Sequence, residues 1–328
     1  MTGARIVNPG LKTARGVALL TVLFILVLIS TLAVYLVEDE HLAIRRVTNQ
    51  RDIEQAHQML VGAEQWAIKV LERDENENDH LNEPWNKLLP KVGVEEGSLL
   101  AFVRDQQGLF NLNNLIEGKP SPNGKDPDGK DEEPKLWYPA FVRLLTVLEL
   151  DEGLADAVLD WIDSDQDVSG GSGAEDAEYL LKEPSMRAAD RLFTSIGELA
   201  WVHGFDAKAL AMLRPYVTAL PEPSKINVNT APAPVLRILS ADIMSEQEAE
   251  AIVQGRGAAG YTSTNDVLSL TQFAGQEGQS AAQLIDVKSG YFEIVSEAKF
   301  GRFKSSLLSL VQRKAGRAVV LGRRRGIS

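Results

Sequence analysis

The sequence predicts an α+β fold in which a long N-terminal helix packs on an antiparallel sheet, and a large all-α insert divides that sheet. Three observations support this fold class. An uncharged apolar run at 17–37 continues into an amphipathic pattern, β-like runs lie at 98–116 and 290–314, and helical periodicity fills much of the sequence between them. With 328 residues, of which 44% are hydrophobic, the chain can form a sizeable core.

The first element is an apolar helix long enough to cross a membrane. Residues 17–37 form 21 consecutive uncharged positions, which as a helix would extend about 31 Å. Basic residues precede this run and Glu38-Asp39-Glu40 follows it, so we expect a cytoplasmic N-terminus and an exported body. A cleavable signal peptide is the alternative, but its apolar core is usually only about 7–15 residues and ends at a small-x-small site.

The helix is predicted to continue beyond the membrane. Apolar residues recur at spacings of three and four, which is typical of one face of an amphipathic helix. These residues are Ile53, Ala56, Leu60, Ala63, Ala67 and Val70. We therefore predict one helix from about Val17 to Arg73, with its second half packed on a domain.

The segment ARGVALLTVLFILVLISTLAVYLV resembles the N-terminus of type IV pilin-like proteins, in which a prepilin peptidase removes a short basic leader after a glycine. The resemblance implies a leader at 1–16, cleavage between Gly16 and Val17, N-methylation of Val17, and a filament-core helix at 17–39. The family usually has Phe first and Glu fifth in the mature chain, whereas this chain has Val17 and Thr21. Loss of that Glu resembles the K-type minor pseudopilins of type II secretion.

Two hairpins are predicted for the sheet. One surrounds the Asp105–Gly108 turn within 98–116, and the other surrounds Gly301 within 290–314. The Pro-, Gly- and charge-rich segment 117–135 is predicted to be a flexible surface loop. With the resemblance, the chain divides into a pilin-like part at 40–116, an all-α insert at 117–287, a second pilin-like part at 288–316 and a basic tail at 317–328.

The stretch DWIDSDQDVSGGSGAEDAEYL, residues 160–180, carries the clearest chemical pattern. Closely spaced carboxylates repel one another unless a cation binds them. Oxygen ligands on a glycine-rich loop suit calcium, which takes six to eight oxygens in a flexible arrangement. A solvated acidic loop without an ion is the alternative.

An EF-hand comparison gives candidate ligands. With Asp165 as loop position 1, positions 3 and 5 fall on Asp167 and Ser169. The glycine position falls on Gly170 and the last ligand position on Asp176. The K-type resemblance also implies calcium in this region. We predict a calcium site formed from Asp163, Asp165, Asp167, Glu175 and Asp176.

Residues 225–268 resemble a helix-hairpin-helix unit of the DNA-uptake type. In such units, a glycine-containing hairpin presents backbone N–H groups to a phosphate. Here the hairpin reads ADIMS at 241–245, without glycine and with the acidic Asp242. Ser245 and Glu248 instead predict a capping box for a following helix. We therefore expect a structural module rather than a DNA-binding one.

Composition points the same way. The net charge is −12, and all 46 acidic residues lie between Glu38 and Glu297, which argues against nucleic acid as a partner. The chain has no cysteine, so an exported domain cannot use disulfides, and a bound metal is another way to stabilise it.

The sequence contains no GxSxG, P-loop, HExxH or CxxC motif, and its four histidines do not cluster. We expect no enzymatic activity.

The K-type resemblance implies a subunit that caps the tip of the type II secretion pseudopilus and helps to initiate or regulate its assembly. It implies a single-pass inner-membrane protein with a cytoplasmic N-terminus and a periplasmic body. The expected partners are the I- and J-type minor pseudopilins, with the H-type as a further candidate, the prepilin peptidase and the inner-membrane assembly platform. The alternative function is a periplasmic calcium-dependent module that recruits secreted substrates.

Overall fold

The computed structural model describes residues 14–87, 92–94, 97–119, 135–301 and 303–327. Most of the predicted leader at 1–16 and of the predicted loop at 117–135 therefore falls outside the described residues.

The N-terminal helix α1 runs from Ala14 to Glu72, which confirms the single long helix predicted from the sequence. The side chains of residues 17–37 are all exposed. In contrast, Ala56, Leu60 and Leu71 are fully buried against the rest of the molecule. Within the described residues, α1 is the one helix that is long and apolar enough to cross a membrane.

Nine strands occur in the part of the chain that the structure describes. They are β1 (Val92–Val94), β2 (Gly97–Asp105), β3 (Phe110–Asn111), β4 (Val217–Thr218), β5 (Ile226–Asn227), β6 (Ile285–Asp286), β7 (Tyr291–Phe300), β8 (Phe303–Lys314) and β9 (Arg317–Ile327). The main sheet has five strands in the order β1-β2-β7-β8-β9, and every neighbouring pair is antiparallel. Two short parallel pairs, β3 with β4 and β5 with β6, lie outside this sheet.

The hairpin predicted about Gly301 is confirmed, because β7 and β8 pair from Phe300 and Phe303 at the turn outward. The hairpin predicted about Asp105–Gly108 is wrong. All nine residues of β2 pair with β7 instead, and the chain beyond the turn leaves the sheet to form β3. The turn sequence Asp105–Gly108 therefore lies where the chain leaves the sheet for the insert, and not between two paired strands.

The prediction of a basic tail at 317–328 is wrong, because its described residues form a strand. Residues Arg317–Ile327 form β9, which pairs antiparallel with β8, with one register shift between Leu310 and Val311. Ala315 and Gly316 connect the two strands with φ of 51° and 72°. This left-handed two-residue turn matches the right-handed twist of a hairpin. The pilin-like part of the chain thus extends to residue 327.

Helix α1 packs on one face of the sheet. Leu71, Trp85, Phe292 and Val311 form part of the apolar core at this interface. The buried Glu64 lies among them, and its two carboxylate oxygens accept hydrogen bonds from Nε and a terminal nitrogen of Arg323, both at 2.8 Å. An acid on the helix is thereby joined to the outermost strand of the sheet.

The insert contains eight α-helices among its described residues. They are α2 (Trp137–Val147), α3 (Leu154–Ile162), α4 (Asp176–Tyr179), α5 (Ala207–Leu213), α6 (Ala233–Leu236), α7 (Glu246–Gly255), α8 (Thr264–Leu268) and α9 (Gln276–Leu284). The predicted capping box is confirmed at the start of α7, where Ser245 and Glu248 bond to each other's backbone N–H. In the hairpin before α7, the Arg237 guanidinium donates to the Met244 carbonyl at 2.7 Å, so this cation points into the hairpin.

The insert and the sheet meet at a buried group of polar side chains. Arg313 of β8 donates to Asp74 and Asp79 at 2.5 Å, and the Arg313 and Asp79 side chains are only 7% and 1% exposed. Ser289, just before β7, donates its backbone N–H to Asp79 at 2.7 Å and its hydroxyl to Asp105 at 2.6 Å. Burial raises the pKa of Asp79, and the guanidinium of Arg313 opposes that rise.

We predict that Arg313→Met lowers the free energy of unfolding by about 3–5 kcal/mol, because it leaves buried carboxylates without their cation. Thermal unfolding of the full chain in detergent measures this. Arg324→Met is the matched control, since Arg324 is 57% exposed in its ion pair with Glu293 on the same sheet. The control should change stability by no more than about 0.5 kcal/mol. Equal losses in the two variants would show that the buried pair has no special role.

Candidate metal centre

Helix α3 lines up three acids beside the glycine-rich loop that follows it. Asp156 and Asp160 lie one helical turn apart, and Asp163 caps the C-terminus of the helix. Helix α3 itself is buried throughout. These carboxylates therefore lie in a poorly solvated region where each needs a compensating partner.

The first two acids have such partners. Lys119 Nζ lies 2.5 Å from Asp156 Oδ1, and the Tyr138 hydroxyl donates to the same carboxylate. Both oxygens of the buried Asp160 accept the backbone N–H of Ser169, each at 3.1 Å. A Cβ added to Gly173 would lie 2.2 Å from Asp160 Oδ2, so only glycine permits this close approach of the loop.

The third acid belongs to a cluster that is compensated only in part, since Asp165 Oδ1 accepts the Asp167 backbone N–H at 2.9 Å. Asp163, Asp165 and Glu175 each place a carboxylate oxygen within 4.8 Å of the others. Glu175 is 3% exposed, and neither of its oxygens has a hydrogen-bond partner among the described residues. The same holds for Asp163 Oδ1. A buried carboxylate without a donor is costly unless it is protonated or bound by a cation.

The raised pKa values of Glu175 and Asp163 reflect this cost of burial. Burial raises the pKa of Glu175 to about 7, and the charges of Asp160, Asp163, Asp190 and Asp165 add to the rise. Burial likewise raises the pKa of Asp163 to about 6, with Asp165 as the next contributor. Near neutral pH these acids are therefore poised to exchange protons for a cation.

A second acidic group in the molecule provides a contrast. Asp74, Asp79 and Glu83 also bring carboxylate oxygens within 4.8 Å of one another. There, however, Arg313 neutralises Asp74 and Asp79, and Glu83 accepts the indole N–H of Trp85 at 2.5 Å. The cluster of Asp163, Asp165 and Glu175 is thus the one of these two groups whose oxygens remain open to a metal ion.

The donor set fits calcium. All three clustered side chains offer oxygen only, which hard cations prefer, and three carboxylates supply up to six ligand atoms. Asp165 is exposed, so an ion can reach the cluster from solvent. Bound calcium would supply positive charge that keeps Asp163 and Glu175 ionised and holds the loop on α3.

Comparisons with known proteins identify the family. Residues 108–222 and 226–288 match models described as type II secretion system (T2SS), protein K. A type II secretion system protein K from Pseudomonas aeruginosa is 35% identical over 95% of this chain and 93% of the relative. That from Aeromonas hydrophila is 31% identical over 96% of this chain and 98% of the relative. This chain belongs to the type II secretion system protein K family.

A solved structure gives the same answer. The GspK-GspI-GspJ complex of the enterotoxigenic Escherichia coli type 2 secretion system contains a chain that is 26% identical, with a TM-score of 0.73. The match covers 86% of this chain and 100% of that one. It confirms the α+β fold with its long helix, antiparallel sheet and helical elements. The K-type resemblance is confirmed as well: the chain is a minor pseudopilin, and its family is structural rather than a known enzyme family.

Of the five ligands predicted for this K-family chain, the structure brings Asp163, Asp165 and Glu175 together. The Asp176 carboxylate instead accepts the Ala188 N–H and an Arg187 N–H, each at 3.1 Å. Asp167 is exposed and donates its backbone N–H to Asp165 Oδ1. Which of the five hold an ion stays a prediction.

Sequence reasoning missed two acids that act on the cluster. Asp160 faces the loop one turn before Asp163, and this helical spacing was a signal that could have found it. Asp190 raises the pKa of both Asp163 and Glu175, and it has a left-handed φ of 47°. Asp190 lies far along the chain from the loop, so no local pattern indicated it.

The predicted processing site lies at the start of α1. Gly16 and Val17 are both helical, and the Val17 side chain is exposed. The hydroxyl of Thr21 donates to the Ala18 carbonyl at 2.8 Å, so it is satisfied within its own helix. Cleavage and methylation at this site remain predictions.

Proposed function

We propose that this protein caps the tip of the type II secretion pseudopilus and helps to initiate or regulate its assembly, so that proteins are exported across the outer membrane. The observation that carries the proposal is the apolar N-terminal half of α1, which contains Thr21. Its helix exposes apolar side chains on every face, as a filament core requires, yet Thr21 offers a neighbour only a hydroxyl already bonded to Ala18. No carboxylate is present there to neutralise the N-terminal amine of a subunit above it.

The solved GspK-GspI-GspJ complex supports the I- and J-type minor pseudopilins as partners. We infer that the same two types assemble with this chain, with the H-type as a further candidate. The prepilin peptidase and the inner-membrane assembly platform would act on α1. Arg5, Lys12 and Arg15 precede its apolar half and Glu38 follows it, which favours a cytoplasmic N-terminus and a periplasmic body.

Within this function, calcium is a structural ion. We infer that it binds Asp163, Asp165 and Glu175 and fixes the loop at 164–174 against α3. The main support for this site is Glu175, because its two buried carboxylate oxygens accept no hydrogen bond among the described residues and a cation would balance their charge. The protein has no cysteine, so an ion is a reasonable way to hold this loop outside the cytoplasm.

We predict that calcium raises the melting temperature of the protein, and that this gain grows between about pH 5 and pH 8. A ligand at 100 times its Kd that binds only the folded state adds about 2.7 kcal/mol. Without calcium, carboxyls with raised pKa values bind more protons in the folded than in the unfolded state. Stability is then lost as pH rises toward about 7, the pKa of Glu175.

Thermal melts in calcium-free and calcium-containing buffers at both pH values test this prediction. Glu175→Gln should remove most of the calcium gain, whereas Glu178→Gln, at a half-exposed acid one turn along the chain, should preserve it. Asp167→Ala distinguishes two possible ligand sets. If Asp163, Asp165 and Glu175 alone hold the ion, this variant keeps the calcium gain; if the EF-hand pattern holds, it loses part of that gain. Identical wild-type melts in the two buffers would exclude a structural calcium site.

We predict that the mature chain begins at Val17, because the leader ends in Gly16 directly before the apolar run. Mass analysis of the protein purified from cells with an active prepilin peptidase measures this. Gly16→Leu should retain the leader, because a bulky side chain blocks the cleavage position. An intact N-terminus in the wild type would rule out processing at this site.

We predict that filament length falls as the dose of this protein rises, and increases when it is deleted, because a cap stops addition of further subunits. Electron microscopy of pseudopili made by an overexpressed major subunit gives the lengths. The unprocessed Gly16→Leu variant is the control and should have no effect. Labelled copies spread along the shaft, or lengths indifferent to dose, would contradict capping and favour the substrate-recruiting module.

A further inference from the structure

Strand β9 forms one edge of the main sheet, and its far side faces solvent. It is the last strand in the order β1-β2-β7-β8-β9 and is 11 residues long. Along Arg317–Gly326, Ala318 alone is buried. Long edge strands usually invite pairing with another chain, because their outer N–H and C=O groups lack ladder partners.

The direction of these groups follows from the β8–β9 register. In a regular antiparallel pair, successive residues alternate between bonding the partner strand and pointing away from it. The β8–β9 pairing is regular from Arg317 to Val320, before a register shift that leaves Leu321 unpaired. The Ala318 N–H points away, since it donates to Glu72 Oε1 of α1 at 3.4 Å. Val320, two residues on, therefore also directs its N–H to the open edge. The first outward donor of this edge is thus already bound by a carboxylate.

The side chains of β9 divide into an apolar half and a basic half. Val319 and Leu321 are 57% and 45% exposed, which is unusual for branched apolar residues on a free edge. Arg323, Arg324 and Arg325 follow directly, and residues 302–328 contain no acid. This surface is therefore positively charged, although the net charge of the whole chain is −12.

The acids of the chain satisfy only part of the basic half. Arg323 is held by Glu64 of α1 through two hydrogen bonds. Arg324 reaches Glu293 at 3.4 Å and remains largely exposed. Arg325 meets a ring nitrogen of His57 at 2.7 Å rather than a carboxylate. Positive charge is therefore left over at the C-terminal half of the edge.

We propose that the β9 edge is a docking site for an extended segment of a partner protein, which adds to the sheet as a sixth, antiparallel strand. Its N-terminal half is acidic and lies opposite Arg323–Arg325, and its C-terminal half is apolar and lies opposite Val319–Leu321. Backbone hydrogen bonds supply the attachment, and charge fixes the direction and register. A second copy of this chain fits less well, because β9 contains no acid that could pair with these arginines.

The probe for this proposal is a synthetic peptide of about ten residues, with glutamates in its first half and alternating valine and threonine in its second. Binding to the full-length protein in detergent is measured by fluorescence anisotropy at low and high salt. We expect saturable binding that weakens with salt. A peptide with prolines in place of the threonines should bind at least tenfold more weakly, because proline has no backbone N–H to donate from the added strand to β9.

The protein variants test the charge component. Arg324→Glu with Arg325→Glu should weaken binding at least tenfold, and Arg324→Lys with Arg325→Lys should largely retain it. Unchanged melting temperatures verify that both double variants fold. Hydrogen exchange gives an independent readout: bound peptide should slow exchange of the Val320 amide but leave that of Val319, which faces β8, unchanged.

Three results would overturn the proposal. The first is no binding of the acidic peptide at millimolar concentration. The second is equal binding of the proline peptide, which would show only general attraction to positive charge. The third is a concentration-dependent dimer of the protein that the double Glu variant abolishes, because the edge would then belong to a second copy of this chain.

Discussion

The rest of the structure depends on one buried ion pair, between Arg313 and Asp79. It lies where the end of β8 meets the segment that follows α1, and Ser289 and Asp105 extend it to both places where the chain crosses between sheet and insert. Asn227 of the insert donates to Asp105 at 3.0 Å and to the Asp79 carbonyl at 3.1 Å. Because such groups tolerate burial only when all are satisfied, the sheet and the insert hold one another in a fixed relation.

The molecule solves the same electrostatic problem in two ways. At the junction, three clustered acids are neutralised by Arg313 and by N–H donors, so this region needs nothing from outside. In the insert, Asp163, Asp165 and Glu175 have no such cation, and Lys119 reaches only the first acid of α3. The stability of the junction is therefore intrinsic to the chain, whereas that of the acidic loop depends on pH and on the ions of the surrounding medium.

How far the sequence predicts this structure depends on whether the relevant signal is local. Periodicity predicted α1, a glycine turn predicted the β7–β8 hairpin, and spacing predicted the Ser245 capping box. The partner of β2 was missed, because the strand that pairs with it follows the whole insert. The sequence predicts a basic tail where β9 lies, because the arginines that protect this edge strand from aggregation interrupt the apolar pattern of a strand. At the metal centre, sequence located the acidic loop, but the backbone direction at the start of α4 determines that Glu175 rather than Asp176 faces inward.

These features also explain how one chain can combine a filament subunit with a large added domain. The two crossings between sheet and insert are only a few ångströms from the same carboxylate, since Asp105 ends β2 and Ser289 precedes β7. An insert joined at two neighbouring points leaves the register of β2 with β7 intact along all nine pairs. Helix α1 packs on one face of that sheet through Glu64 and Leu71, independently of the insert. The contacts that hold α1 on the sheet are thus distinct from the Arg313 network that joins the sheet to the insert.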